Sequence, residues 1–216
     1  LEAIGARVEA VHCTWDASEP NHGADPTRPY NMTDLADLVA AHGCEFGLGS
    51  DGDGDRVGAV TETGAFVYPD RLVALLVGDV LADLNEEASA NERTVIYDVK
   101  CSMNVESAIL AAGGTPLMAR TGHSFMKRAL AERPGCRFAA EMSGHLFPAD
   151  RGWYGFDCSL YNAARLVELW SRQAPDGPTF GEALDAVAPN LPTTGECKVP
   201  CAVSYTHLTL PTIGCV

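Results

Sequence analysis

The chain has 216 residues, 46% of them hydrophobic, which is enough material for one or two domains with buried cores. Its formal net charge of −14 leaves no basic surface to bind nucleic acid. No apolar run is long enough to span a bilayer, and the first residues lack the pattern of a secretory signal. With eight cysteines and no Cys-x-x-Cys pair, we expect a cytoplasmic protein with reduced thiols and neither nucleic-acid nor membrane partners.

The first part of the chain predicts strands around one helix. Residues 7–14 have the pattern of a strand, and residues 34–42 that of a helix with Leu35, Leu38 and Val39 on one face. Short strands are predicted at 46–50, 57–60 and 66–68, with an acidic loop between the first two. We place a domain boundary near residue 68, which separates a first unit at residues 1–68 from the rest of the chain.

From residue 69 onward, strands alternate with helices. Helices are predicted at 70–84, 103–112, 123–132 and 156–170, and strands at 94–99, 115–119 and 137–140. Such alternation is typical of parallel strands with crossover helices. We therefore predict the α/β class, with two mixed or parallel sheets and a second domain at 69–189. Proline-rich residues 174–200 are expected to form a linker.

The last residues, 203–216, are expected not to be native. Residues 203–212 resemble the translation of a transposase adapter that is used to prepare DNA sequencing libraries. Such segments are excluded from reasoning about the fold. The alternative is a natural strand, because threonines alternate with apolar residues. On the adapter interpretation the chain is a fragment that ends near Ala202.

Residues 51–56, with the sequence Asp-Gly-Asp-Gly-Asp-Arg, are the most informative stretch of the chain. Three carboxylates at alternate positions repel one another unless a cation lies among them, and hard divalent ions prefer oxygen ligands. The two glycines allow the backbone to curl around such an ion. We therefore predict a metal site formed by Asp51, Asp53 and Asp55.

Two other interpretations of this loop stay open. The three aspartates fill the first, third and fifth positions of an EF-hand calcium loop, and Glu62 falls at the twelfth. However, the sixth position is Arg56 rather than glycine, and the flanks predict strands rather than helices. The loop could also be a solvated acidic turn without an ion.

Polar side chains follow three successive predicted strands. Lys100 follows the strand that ends at Val99, His123 follows the strand that ends near Ala119, and residues 141–145, Glu-Met-Ser-Gly-His, follow the third. Any one of these groups alone would more often be structural. If the strands are parallel, however, they converge at one edge, where substrates of α/β proteins bind. The carboxylate and hydroxyl of residues 141–145 suit recognition of sugar hydroxyls.

Six motifs in order along the chain together resemble the α-D-phosphohexomutase superfamily, most closely its phosphomannomutase/phosphoglucomutase branch. The motifs are residues 20–22, 51–56, 97–101, 121–124, 141–145 and 153–157, within a likeness that covers residues 7–202. The resemblance implies a four-domain protein. Of this protein the chain would hold the carboxyl-terminal part of the second domain at residues 1–68, with an incomplete sheet, the third domain at residues 69–189 and the start of the fourth at residues 190–202. The phosphoserine loop of the first domain and the phosphate site of the fourth do not occur among the 216 residues.

The resemblance implies phosphoryl transfer between a phosphoserine and a hexose phosphate, through a bisphosphate, with mannose or glucose as the sugar. Asp51, Asp53 and Asp55 would hold Mg²⁺. The implied catalytic residues are Arg56, Lys100 and His123, and the implied sugar-binding residues are Glu141, Ser143 and His145. Either Lys100 or His123 would move a proton. Since the phosphoserine loop is not in the sequence, we expect the isolated chain to be inactive.

Three alternatives belong to other functional classes. The chain could be a binding module for a divalent cation or a sugar phosphate, without catalysis. It could be a calcium-binding protein. It could also be a phosphatase in which one aspartate of the loop forms a covalent phosphoryl intermediate.

Overall fold

The computed structural model describes residues 1–191 except residues 15, 17 and 175. This part contains the helices α1 Thr33–His42, α2 Pro69–Ala82, α3 Met103–Ala111, α4 His123–Ala131, α5 Ser159–Ser171 and α6 Phe180–Val187. Its strands are β1 Phe46–Ser50, β2 Val57–Thr61, β3 Phe66–Val67, β4 Thr94–Asp98, β5 Thr115–Ala119, β6 Phe138–Ala140 and β7 Leu146–Pro148. The predicted tail at 203–216 and most of the predicted start of a further domain at 190–202 lie outside the described residues. No helix in the described part is long and apolar enough to cross a bilayer.

The first sheet is antiparallel and has the strand order β1-β2-β3. The acidic loop at 51–56 joins β1 to β2, and a turn at 62–65 joins β2 to β3. Connections this short can join only antiparallel neighbours, because parallel strands need a crossover of a dozen or more residues. The predicted α/β class with two sheets is confirmed. In the described part, the first sheet is antiparallel rather than mixed or parallel.

The second sheet is mixed and has the strand order β5-β4-β6-β7. β4 pairs in parallel with both β5 and β6, and α3 and α4 form the two crossovers. β7 is antiparallel to β6 and is joined to it by the turn at 141–145. The carboxyl ends of β4, β5 and β6 therefore meet at one edge of the sheet, as the sequence pattern predicts.

Helices cover both faces of the second sheet. Val95 and Tyr97 of β4 belong to the largest hydrophobic cluster, which includes residues of α2 and α3. Ile96, between them in the sequence, packs with Met126 and Leu130 of α4 on the opposite face. This alternation follows from the two-residue period of a strand. The largest cluster also includes residues of β2, so the two sheets share one core across the predicted boundary near residue 68, which stays a prediction.

Two predictions for individual elements are wrong, and one strand was not predicted. Residues 7–14 pair with no strand in the described part of the chain, so the predicted strand there does not form. β7 is absent from the sequence prediction. The predicted linker contains α6, which begins with a capping box: the Thr179 hydroxyl accepts from the Glu182 N–H at 3.3 Å, and the Glu182 carboxylate accepts from the Thr179 N–H at 2.9 Å. The apolar side of α6 buries Phe180 in the main core.

A buried ion-pair network links α2 to α5 and to the loop after β7. Arg165 of α5 lies between Asp79 of α2 and Asp150, and the exposed fractions of these three side chains are 3%, 1% and 2%. Nη2 of Arg165 donates to Oδ2 of Asp79 at 3.0 Å and to Oδ2 of Asp150 at 2.7 Å. Arg151 and Arg172 also contact Asp79, from more exposed positions. The network fixes α5, whose first residues lie beside the acidic loop.

This network predicts a loss of stability in acid. Burial raises the pKa of Asp79, but the Arg165 hydrogen bond and the nearby arginine charges outweigh burial and lower it. A carboxyl whose pKa is lowered by folding stabilises the protein above its unfolded pKa of about 3.9 and loses that contribution as the pH falls through the folded pKa. We expect the free energy of unfolding, measured in urea, to fall below about pH 4. Asp79→Asn should reduce that slope, whereas Asp37→Asn, an exposed position on α1, should not.

Candidate functional site

The acidic loop curls around the carboxylate of Asp51. Oδ1 of Asp51 accepts the backbone N–H groups of Gly54, Asp55 and Arg56, each at 3.1 Å. Gly54 has φ +79°, in the left-handed region where a glycine is favoured. The sequence thus specifies the turn locally: a carboxylate at its start collects the N–H groups, and a glycine supplies the bend.

Arg56 holds the loop from its carboxyl end. Its Nε donates to Oδ2 of Asp51 at 2.5 Å, and its Nη1 donates to Oδ1 of Asp25 at 3.2 Å. Burial raises the pKa of Asp51, but the Arg56 N–H groups and charge outweigh burial and lower it. Asp51 is therefore an anion in the folded protein, and the sequence analysis missed Asp25 as the second partner of Arg56.

The three aspartates of the loop fit a hard cation. One carboxylate oxygen from each of Asp51, Asp53 and Asp55 lies within 4.8 Å of the others. Oδ1 of Asp55 is buried and has no hydrogen-bond partner among the described residues, as expected of an atom that an ion would contact. Burial, together with the charges of Asp51 and Asp53, raises the pKa of Asp55. A bound cation would relieve this repulsion, and an oxygen-only donor set suits Mg²⁺.

The flanks of the loop exclude the EF-hand. β1 and β2 border it on either side, whereas an EF-hand loop lies between two helices. A cavity of about 810 Å³ opens beside the loop and is lined by Asp51, Asp53 and Arg56 together with residues of the 11–26 segment. Oδ2 of Asp55 lies 3.6 Å from Nδ1 of His145, at the end of the turn at 141–145.

The acidic loop and the turn at 141–145 are bonded to each other through their backbones. The Val57 N–H donates to the Gly144 carbonyl oxygen at 3.1 Å, and Arg56 forms a β-bridge with His145. Gly144 has φ +90°, and a Cβ at this position would lie 3.0 Å from the Val57 carbonyl oxygen, so the close approach favours glycine. The Ser159 N–H at the start of α5 donates to the Gly54 carbonyl oxygen at 2.8 Å.

His145, at the end of the 141–145 turn, lies among the charged side chains of Asp55, Asp157 and Lys127. Its Nδ1 is 2.8 Å from Oδ2 of Asp157 and 3.6 Å from Oδ2 of Asp55. Oδ1 of Asp157 is 2.7 Å from Nζ of Lys127 on α4. Burial lowers the pKa of His145, but Asp157 and Asp55 outweigh burial and raise it. Burial raises the pKa of Asp157, but His145 and Lys127 outweigh burial and lower it to about 2.

Asp157 and Lys127 received no role in the sequence analysis. Asp157 ends the 153–157 motif, so a signal for it was present. Lys127 is half-buried on α4 and carries no local signal, because only the packing of α4 beside β6 and β7 brings its ammonium to Asp157.

Glu141 ties the turn to the loop that precedes α4. It is 1% exposed, and its Oε1 accepts the Gly122 N–H at 2.5 Å. Asp98, at the end of β4, accepts the Met142 N–H at 3.1 Å and the Thr121 hydroxyl at 2.8 Å. Burial raises the pKa of Glu141, and the charge of Asp98 raises it further. Two buried carboxylates thus join the loops that follow β4, β5 and β6.

The remaining predicted residues lie around this edge. Lys100 is exposed two residues after the end of β4, and Ser143 is half-buried in the 141–145 turn. His123 is the first residue of α4, and its ring centroid is 5.8 Å from that of His145. The nine predicted site residues therefore fall into two adjoining groups, the acidic loop and the carboxyl edge of the second sheet.

Comparison with known proteins places this arrangement in a family. The profile for phosphoglucomutase/phosphomannomutase, alpha/beta/alpha domain III, matches residues 68–189, and the profile for domain II matches residues 1–64. The chain belongs to the phosphoglucomutase/phosphomannomutase family. The acidic loop at 51–56 lies in the region that matches domain II of this family, and the 141–145 turn lies in the region that matches domain III.

Individual relatives agree with this assignment. The chain is 43% identical over 199 residues to a phosphomannomutase/phosphoglucomutase of Pseudomonas putida. The aligned region covers 92% of this chain and 40% of that protein. The chain is 44% identical over 176 residues to that of Pseudomonas aeruginosa, with coverages of 82% and 36%. A crystal structure of a phosphoglucomutase/phosphomannomutase family protein from Burkholderia thailandensis superposes with a TM-score of 0.69 and 43% identity, covering 80% of this chain and 35% of that one. The chain thus spans less than half the length of these relatives.

Proposed function

We propose that the protein to which this chain belongs interconverts hexose 6-phosphate and hexose 1-phosphate, with mannose, glucose or both as the sugar. The observation that carries the proposal is the backbone bonding of the acidic loop to the 141–145 turn, through the Val57 N–H and the Gly144 carbonyl oxygen 3.1 Å away. A cation site and a set of groups suited to sugar hydroxyls therefore adjoin. The names of the relatives, phosphomannomutase/phosphoglucomutase, support the same reaction.

Asp51, Asp53 and Asp55 would hold Mg²⁺. When bound, the ion would supply positive charge to the phosphoryl group during its transfer. Arg56 keeps Asp51 in place and lines the cavity beside the loop, where its guanidinium suits phosphate oxygens. The ion and Arg56 would together balance the negative charge of a doubly phosphorylated sugar.

Groups at the edge of the second sheet would bind the sugar and move protons. Glu141 and Ser143 would contact sugar hydroxyls, and Lys100 and His123 would contact the phosphorylated substrate. The carboxylates of Asp157 and Asp55, 2.8 Å and 3.6 Å from Nδ1 of His145, favour the protonated imidazole, which could give a proton to the reacting oxygen. These positions face the same edge, so one substrate could contact several of them.

The transfer proposed for the whole protein has two steps. A phosphoserine, outside the motifs found in this chain, gives its phosphoryl group to the free hydroxyl of a hexose monophosphate, and the proton of that hydroxyl moves to the serine oxygen that is left. The resulting bisphosphate then returns its other phosphoryl group to the serine, whose hydroxyl proton moves to the sugar oxygen that is left. Each step breaks one P–O bond and forms another, so no redox partner is needed. We propose a cytoplasmic location, which the five free cysteines of the described part support.

A segment exchange tests this proposal. Residues 1–189 would replace the matching region of the Pseudomonas aeruginosa relative, and conversion of mannose 6-phosphate and glucose 6-phosphate would be measured with Mg²⁺ and a hexose bisphosphate activator. We expect turnover by the chimera and none by the isolated 216-residue chain, because the phosphoserine motif does not occur in its sequence.

The same experiment separates the proposal from a non-catalytic binding module. A chimera that melts cooperatively and binds hexose phosphate but shows no turnover would favour the binding module. Turnover by the isolated chain would contradict the assignment of the nucleophile to another part of the protein. Incorporation of labelled phosphate at Asp51 or Asp53 would favour the aspartyl phosphatase instead.

A further inference from the structure

A second group of metal-ligating side chains lies apart from the acidic loop. His12 and His22 come from the segment that precedes α1, and Asp34 comes from the first turn of α1. One ligand atom from each of the three lies within 4.8 Å of the others. The ring centroids of His12 and His22 are 5.5 Å apart. All three residues are exposed, so an ion in solution can reach them.

The contacts of the two histidines show which of their nitrogens carry a proton when no metal ion is bound. Nδ1 of His22 is 2.9 Å from the carbonyl oxygen of Gly23, which can only accept, so Nδ1 carries the proton. In the neutral ring the lone pair is then on Nε2, the arrangement found where a metal-binding histidine is fixed by a backbone carbonyl. Nε2 of His12 is 2.7 Å from Oδ2 of Asp34, a contact that needs a proton or a cation between the two atoms.

We propose that His12, His22 and Asp34 form a site for a transition-metal ion of the Zn²⁺ class. Two imidazoles and one carboxylate suit Zn²⁺, Co²⁺, Ni²⁺ or Cu²⁺, whereas Mg²⁺ prefers the oxygen ligands of the acidic loop. Tetrahedral Zn²⁺ with ligands at about 2.0–2.1 Å places donor atoms roughly 3.4 Å apart. The three exposed side chains can reach that spacing through small rotations, and water would complete the coordination.

The proposed site lies near the cavity beside the acidic loop. His12 and His22 line this cavity of about 810 Å³ together with Asp51, Asp53 and Arg56. The chain would therefore bind two kinds of cation around one cavity. The carboxylate oxygens of the acidic loop would select Mg²⁺, and the imidazole nitrogens of His12 and His22 would select Zn²⁺. A bound Zn²⁺ would tie the segment that contains His12 and His22 to α1, and binding would stabilise the folded state.

Metal titration of the 216-residue chain tests this site. Zn²⁺ affinity would be measured by competition with a chromophoric chelator in excess Mg²⁺, which occupies the carboxylate site, and Co²⁺ would report coordination through its visible absorption. We expect the double variant His12→Gln/His22→Gln to raise the Zn²⁺ Kd by about 100-fold or more, since even the loss of a residue that only supports a ligand costs 10- to 100-fold. Zn²⁺ should also raise the melting temperature of the wild-type chain but not of this variant.

His42→Gln is the matched control, because His42 is an exposed histidine of α1 outside the cluster. It should keep the wild-type Kd, whereas Asp34→Asn should weaken binding. All variants retain the eight cysteines, so binding to thiols is common to them. An equal Zn²⁺ Kd for the wild type and the double variant would overturn the site, as would the absence of Co²⁺ bands that depend on the two histidines. Failure of these tests would leave the proposed mutase reaction untouched, because that reaction depends on the acidic loop.

Discussion

Asp53→Asn should lower the turnover of the chimera by about 10³-fold, because a metal ion contributes several kcal/mol to stabilising a phosphoryl transition state and each 1.36 kcal/mol is a factor of ten. Asp53 is exposed, and the hydrogen bonds that shape the loop are made by Asp51 and Arg56 instead. Its substitution therefore removes a ligand while the fold is kept. Raising the Mg²⁺ concentration should restore part of the activity, since the lost ligand lowers the affinity for the ion.

Asp37→Asn is the matched control for this prediction. It removes the same charge from an exposed position on α1 and should leave turnover and its Mg²⁺ dependence unchanged. Binding of Mn²⁺ to the isolated chain, followed by its paramagnetic signal, gives a readout without activity: Asp53→Asn should weaken it and Asp37→Asn should not. If Asp53→Asn had wild-type turnover and wild-type Mn²⁺ affinity, the acidic loop would not be the metal site.

Arg165→Met should lower the free energy of unfolding by about 3–5 kcal/mol, the cost of leaving buried carboxylates without their partner. Arg165 is 3% exposed and contacts both Asp79 and Asp150. Burial lowers the pKa of Arg165, but Asp150 and Asp79 outweigh burial and raise it, so the guanidinium is charged in the folded protein. Urea denaturation at pH 7 would measure the loss, and the melting temperature should fall by roughly 10 °C.

Arg172→Met makes the same substitution at a partner of the same carboxylate. The Arg172 side chain is 47% exposed and lies 2.9 Å from Oδ1 of the buried Asp79, which Arg165 also neutralises, so we expect this solvent-exposed arginine to contribute less than about 1 kcal/mol. Adding Asp150→Asn to Arg165→Met should recover part of the stability, because a neutral amide costs less to bury than an unpaired carboxylate. Equal losses in the two single arginine variants would contradict the argument that burial sets the cost.

The chain sequence determined the elements that depend on local patterns. Alternating strands and helices predicted the second sheet and its carboxyl edge, because the spacing of apolar residues shows which face of each element is buried. The Asp-Gly repeat of 51–56 predicted the acidic loop, because the glycines permit a tight turn and the carboxylates repel one another unless a cation lies among them. The Thr-x-x-Glu signature of α6 was also in the sequence, but the surrounding prolines directed the interpretation toward a linker.

Only the tertiary structure decided which of these local features meet. The bond between Val57 and Gly144, and the contact of Lys127 with Asp157, join residues far apart in the sequence and depend on how α4 and α5 pack against the two sheets. No local pattern encodes such contacts, because they arise from the shared core that the main-chain topology creates. The same limit applies to residues 7–14: their strand pattern needs a neighbouring strand, and the described part of the chain supplies none.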